Sequence, residues 1–170
     1  MTLEFEKWKE IPGFPGYSVS SFGRVRSDKF DRILSPFMNQ YDVQCIGMMR
    51  DGEQRHRSVP RLVANAFLRP HKLEAFSTPI NLDGDRSNNN VNNLMWRPRW
   101  FAVKYNRQFT HPSDLYISTP IMEMKTREVS ANSREACMKY GLLEQDLVMS
   151  IMNHTVVWPT YQEFRVVEQN

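Results

Sequence analysis

"PINLDGDRSNNNVNNLMW", Pro79 to Trp96, is the stretch on which the reading of this chain turns. Asp, Gly and Asn dominate it. Their short side chains hydrogen-bond neighbouring backbone groups and tolerate unusual dihedrals, so the stretch is expected to form a structured loop. The character changes downstream. Between Arg86 and Asp114 there is no Asp or Glu, while Arg86, Arg97, Arg99, Lys104 and Arg107 accumulate among Trp96, Trp100, Phe101, Tyr105 and Phe109. Cations interleaved with aromatic rings are an electrostatic footprint for phosphate, and the segment after Pro98 is expected to be helical from Trp100 to Gln108. A second basic group lies upstream, in Arg55, His56, Arg57, Arg61, Arg69, His71 and Lys72. A solvated basic face would carry the same charge, so charge alone does not separate the two readings.

The composition is that of a globular chain. With 170 residues, 41% of them hydrophobic and 12% aromatic, it can bury a core as one domain or a few small modules. The net charge of +3 is only a mild indication of an acidic partner. No apolar run approaches the roughly 20 residues that cross a bilayer, and "MTLEFEKWKE" lacks the basic-then-apolar pattern of a signal peptide. A soluble protein is expected, in the cytoplasm, or in the host cytoplasm if phage-encoded, with no membrane association. Cys45 and Cys137 show neither CxxC spacing nor an adjacent His, so buried thiols are expected rather than a zinc site.

Upstream, "WKEIPGFPGYSVSSFGRVRS" is punctuated by Pro and Gly, with period-two alternation in "YSVS" and "RVRS", which reads as short strands joined by tight turns. Strand texture continues to "MRDGEQ", where Asp51-Gly52 suits a hairpin turn. In "SVPRLVANAFLRP" the period becomes helical: Leu62, Val63, Ala66 and Phe67 share a face, Ser58 can cap, and Pro60 suits the first turn. Downstream, "THPSD" is a linker and "YISTPIMEMKTREVS" a strand pair. Two helices follow: Asn132 caps the first with Glu135 three residues on, Gly141 ends it, and Leu147, Val148 and Ile151 stripe the second. "YQEFRVV" closes with a strand.

Four segments in this order, "PGFPGYSVSSFGRVRS", "PRLVANAF", "INLDGDRSNNNVNNLMW" and the C-terminal helix pair, resemble the HNH homing endonucleases of phages and mobile introns. The resemblance implies an α+β fold: a β-rich NUMOD-type module over residues 1–56, a ββα-metal region over 57–110, and a C-terminal module with a helix-turn-helix over 111–170. In that family a histidine in the loop acts as general base. The residue before it and an Asn on the following helix hold a divalent metal. Matched on Asp83, Gly84 and Trp96, these three positions fall on Asn81, Ile80 and Ala102. An amide does not take a proton from water at neutral pH, and hydrocarbon side chains do not bind magnesium. By contrast Asn93, which matches the family's loop-stapling Asn, is present with Asp83, Gly84, Leu94 and Trp96. Where the family commonly has His before "RLVA", this chain has Pro60.

The resemblance therefore implies a nuclease centre that keeps its shape without its chemistry: no catalytic residue, no metal ligand and no cofactor are expected. What remains is a nucleic-acid-binding protein, with DNA as the partner, acting as regulator or accessory factor. Arg57, Arg61, Arg86, Arg97, Arg99, Lys104 and Arg107 are its candidate contacts. Glu144 and Asp146 stand at the start of the second C-terminal helix, where DNA-touching residues usually sit. Acids there repel phosphate, so that helix is a candidate surface for a protein partner. Two alternatives stay open: a structural or interaction subunit of a phage or organellar assembly, and a DNA nickase with a non-standard Mg²⁺ centre drawing on Asp83, Asp85, His56, His71, His111 or His154.

Overall fold

A computed structural model describes residues 5–167. Its backbone divides into two compact units. The first runs up to Asn81 and takes in Asp85–Arg99; the second takes Leu82–Gly84 and the chain from Trp100 onward. The boundary thus falls inside the 57–110 stretch.

The first unit opens with β1 (Trp8–Glu10), β2 (Tyr17–Ser20), β3 (Val25–Ser27) and β4 (Arg32–Ile33), an antiparallel sheet in that order. Next come β5 (Phe37–Met38), β6 (Gln44–Arg50) and β7 (Glu53–Ser58). The Asp51-Gly52 hairpin forms as read: both residues have positive φ, 52° and 79°, and Arg50 pairs with Glu53. Helix α1 (Val59–Phe67) starts where the sequence places it, with Ser58 Oγ accepting from the Arg61 amide at 3.5 Å and Pro60 in the first turn. Its buried face, Val59, Val63 and Ala64, meets Ile46 and Met48 of β6, Val19 and Val25 of the first sheet, and Leu94 in one core. Each of the Val, Ile, Leu and Met side chains contributes roughly 1.5–3 kcal/mol by leaving water, which is what fixes the strands on the helix.

The Asn-rich stretch is not loop throughout. Its ends pair as β8 (Thr78–Asn81) and β9 (Leu94–Arg97), in register from Thr78–Arg97 to Asn81–Leu94. The apolar Ile80 and Leu94 pull these ends into the interior, which overrides the loop preference of their neighbours. The intervening chain rests on the N-terminal sheet, where the Val91 amide donates to the Ser21 carbonyl at 2.8 Å. Gly23, at φ 86°, makes this approach possible: a Cβ there would fall 2.9 Å from that of Asn89.

The second unit takes all but the first residue of α2 (Arg99–Thr110), which begins one residue before and ends two after the expected helix. Phe101, Ala102 and Tyr105 are buried, with Trp158 stacked on Trp100 at 5.0 Å and tilted against Phe101 at 5.4 Å. The segment Leu82–Gly84 is fixed to this helix. The Tyr105 hydroxyl donates to the Leu82 carbonyl at 2.7 Å, and Gly84, at φ 78°, lies so close to the Phe109 ring that a Cβ would come within 2.5 Å of it. The expected strand pair is β10 (Ile121–Glu123) with β11 (Val129–Ser130). Helices α3 (Ser133–Tyr140) and α4 (Glu144–Met152) and strand β12 (Phe164–Val166) follow, the sheet order being β11-β10-β12. Asn132 Oδ1 caps α3 through the Glu135 amide at 2.9 Å, and Gly141, at φ 62°, ends it. Ile121, Ala136, Cys137, Leu142, Leu147, Ile151 and Phe164 form the core here. Cys45 and Cys137 are buried free thiols, and burial pushes both above the usual thiol range.

Candidate nucleic-acid interface

The loop between β8 and β9 is built on one carbonyl. Asn81 Nδ2 and Asn93 Nδ2 each donate to the Asn88 carbonyl at 2.8 Å, and Asn81 Nδ2 also reaches Asn89 Oδ1 at 3.0 Å. Asn89 Nδ2 in turn donates to Gln44 Oε1 on β6 at 2.8 Å. Asn93 therefore staples the loop, the part the resemblance implies for it. The contributions of Asn81, Asn89 and Gln44 carry no sequence signal, because their partners lie up to 45 positions away. Asp85 Oδ1 accepts from the Ser87 hydroxyl at 2.6 Å and the Ser87 amide at 2.9 Å, and these bonds hold its carboxyl below the ordinary range. It is a turn-closing side chain.

The positions matched to base and metal ligands face inward. Ile80, Asn81 and Ala102 are 1%, 4% and 3% exposed, and the Asn81 amide nitrogen is already engaged by two acceptors. Taken singly, the sec-butyl group of Ile80 and the methyl group of Ala102 carry no oxygen, and the Asn81 amide is buried and hydrogen-bonded, so none of the three residues fits the ligand set that a hard divalent cation needs. Among the described residues no group of three or more His, Cys, Asp or Glu is placed to hold one. The four histidines are exposed and engaged locally or set in turns. His56 meets the Phe37 ring edge-on at 4.9 Å, His71 stacks on Phe76 at 3.9 Å, His111 Nδ1 lies 2.9 Å from Thr110 Oγ1, and His154 occupies a turn at φ 53°.

The candidate cations differ in exposure. On α2, Arg99, Lys104 and Arg107 are exposed, the last two on the outward face with Trp100 and Val103, and the Lys104 ammonium lies 5.4 Å from the Trp100 ring centre. In the first unit, exposed Arg57 and Arg61 line one cavity, Arg57 lying 4.9 Å from the Phe14 ring centre. Arg86 is half-buried, donates to the Tyr41 carbonyl at 2.8 Å, and is lowered in pKa by that burial. Arg97 differs from the rest. It is 5% exposed and donates to the Trp96 carbonyl at 2.9 Å, because β9 turns it inward.

The start of α4 also departs from expectation. Glu144 was expected at a surface where it would repel phosphate; it is 4% exposed instead. Its carboxylate accepts from Ser133 Oγ at 2.8 Å and from Arg134 at 3.0 Å, locking α3 to α4, while its amide donates to Gln108 Oε1 at 3.0 Å. The outward face of α4 is Gln145, Asp146, Met149 and Met152.

Two strands joined by an Asn-bridged loop are followed by a helix, with a β-rich stretch before them and a pair of helices after. The NUMOD4 motif matches residues 6–47. The uncharacterized HNH endonucleases L245 and L247 of Acanthamoeba polyphaga mimivirus are each 33% identical, over 90 and 98 residues, covering 53% and 56% of this chain. These matches span about a quarter of the relatives' own length, 26% and 25%. DNA endonuclease I-HmuI of Bacillus phage SP01 is 33% identical over 101 residues, 59% of this chain and 55% of that one. A solved structure, described as DNA binding and cleavage by the HNH homing endonuclease I-HmuI, shares the fold over 96% of this chain and 99% of that one, at a TM-score of 0.53 and 22% identity. In sequence over part of its length, and in fold over nearly all of it, the chain is similar to HNH homing endonucleases.

Proposed function

We propose that this chain binds DNA without cutting it, as a regulator or accessory factor that acts by occupancy. One observation carries the reading. Ile80, Asn81 and Ala102 are buried hydrocarbon or a buried, hydrogen-bonded amide, while Asn93 and Gly84, which shape the loop, are kept. Catalysis of phosphodiester hydrolysis at neutral pH needs a proton acceptor near that pH and a means of neutralising charge on the phosphate, and neither is supplied at these positions. Holding a duplex needs only cations on an exposed face. Arg99, Lys104 and Arg107 on α2, with Arg57 and Arg61, provide them, and the half-buried Arg86 adds to them, whereas Arg97 is buried. Phosphate contacts of this kind set affinity and register and carry no base information.

The test is incubation of purified protein with supercoiled plasmid and Mg²⁺ or Mn²⁺, beside a variant combining Ile80→Asp, Asn81→His and Ala102→Asn. The expected result is a plasmid retarded but intact with the parent chain, and nicked, if at all, only by the variant. Nicking by the parent chain that is lost on replacing Asp83 or one of the four histidines would replace this reading with the nickase.

A second reading has its own support. The outward face of α4 carries Asp146, Met149 and Met152, the methionines 42% and 63% exposed, and α4 has no Lys or Arg. Polarizable apolar side chains beside an acid suit a protein surface better than a phosphate backbone. In this reading the C-terminal module joins the chain to a protein of a nucleic-acid-processing assembly. Salt-insensitive co-purification that Met149→Glu abolishes would support it.

A further inference from the structure

Away from the Asn-rich loop, the first unit contains a cavity of about 470 Å³ between the end of β1 and helix α1. Ile11, Phe14 and Val19, each almost fully buried, form its floor, and Leu62 and Ala66 its wall. Lys9, Arg57 and Arg61 line it as well, with Glu10 the one acid. Arg61 and Asn65 also line a second hollow of about 300 Å³, whose apolar lining includes Leu68, Leu73 and Phe76. The outward ridge of α1 therefore separates two apolar hollows that share a basic border.

We propose that this face docks an acidic peptide segment of another protein, seating a bulky apolar side chain in the larger hollow and a smaller one in its neighbour. Charge complementarity selects the partner. A lysine has three N–H donors and an arginine five. Lys9 donates to the Ala66 carbonyl at 2.7 Å, Arg57 to the His56 carbonyl at 2.8 Å and Arg61 to the Ser77 carbonyl at 3.2 Å, which leaves donor capacity for carboxylates. The apolar floor decides against a nucleotide. An extruded base would bring donors and acceptors against Ile11, Phe14 and Val19, where nothing pairs with them, whereas an aromatic or aliphatic side chain loses nothing there. The same arginines contact phosphate in the reading above; the hollows beside them are what a duplex would leave unfilled.

The experiment is fluorescence anisotropy of the full chain with a labelled ten-residue peptide in which one tryptophan and one leucine are flanked by four glutamates. The expected result is saturable binding. It weakens about tenfold or more when both apolar residues become alanine, when the glutamates become glutamines, and in Leu62→Glu or Arg57→Glu/Arg61→Glu protein, a change of about 1.4 kcal/mol per tenfold. Asn65→Trp, at an exposed helix position, closes the border without touching the core and is expected to act likewise. A 30-base-pair duplex is expected to bind the Leu62 and Asn65 variants within about twofold of the parent. Absence of saturable peptide binding, equal binding of the alanine peptide, or peptide binding unchanged in both the Leu62 and Asn65 variants overturns the proposal. Loss of duplex binding in the Asn65 variant gives the hollows to nucleic acid and overturns it too. The peptide measurement uses no DNA, so its failure leaves the nucleic-acid reading standing.

Discussion

Replacing Arg99, Lys104 and Arg107 together by alanine removes the exposed cations of α2 and tests whether that helix lies along a phosphate backbone. Each neutralised phosphate of a B-form duplex releases counterion and contributes about −0.9 to the slope of log K against log salt concentration, so three contacts give a slope change of about 2.7. Over a fourfold rise in salt, as from about 50 to about 200 mM, those contacts alone account for roughly a 40-fold loss of affinity, and the triple variant should lack that part of the salt dependence. Anisotropy of a labelled 30-base-pair duplex, titrated at four or more salt concentrations, reads the slope directly. Arg97→Ala is the internal contrast. Its side chain is buried against Trp96, so its loss should leave the slope within about 0.5 of the parent while costing roughly 1–3 kcal/mol of stability from the broken buried bond. A triple variant with an unchanged slope, or an Arg97 variant with a slope shallower by about one, would refute the assignment of the contacts to these faces.

Other consequences are open to measurement. Glu144→Ala strands the buried Ser133 hydroxyl and the half-exposed Arg134, and should lower stability by roughly 2 kcal/mol in urea denaturation; a loss below about 0.5 kcal/mol would mean the clamp between α3 and α4 is idle. Gly84→Ala is expected to cost roughly 2–3 kcal/mol, because a strained φ and the Phe109 ring both oppose it. Gly52→Ala, with a similar φ but open space, should cost only about 1 kcal/mol; equal losses would show that the ring yields. Glu128 is held below its ordinary value of 4.5, chiefly by the Tyr140 hydroxyl and then by Lys139. The stabilisation from that carboxylate is complete above its ordinary value and fades as pH falls through the lowered one. Tyr140→Phe should raise the Glu128 midpoint in a carbon-detected NMR titration, and an unmoved midpoint would remove the bond from consideration.

What was legible in the sequence was what is settled within a few residues. Ser58 before an apolar period, Asp51-Gly52 between strands, and Asn132 with Glu135 and Gly141 each specify a cap or turn through neighbours, and each forms. The identity of residues 80, 81 and 102 was also plain, since it needs only a register on Asp83, Gly84 and Trp96. Long-range facts were not. Arg97 reads as a surface cation until β8 pairs with β9 and turns it inward, and Glu144 reads as a repulsive acid until Ser133 and Arg134 close on it across the turn. The hollows beside α1 combine residues from β1 to α1, more than 50 positions apart, and no local pattern marks a space that several distant side chains leave empty.

The interleaving of the backbone has a last consequence. Leu82, Asp83 and Gly84 belong by their packing with Tyr105 and Phe109, yet the chain on both sides of them belongs elsewhere. Neither half can then be lifted out as one uninterrupted stretch of gene. Recombination that swaps cassettes at any point from Asn81 to Trp100 must carry a piece of the wrong half or leave a gap. Substitution one residue at a time is free of that constraint, because it leaves the order of the interleaved stretches as it is.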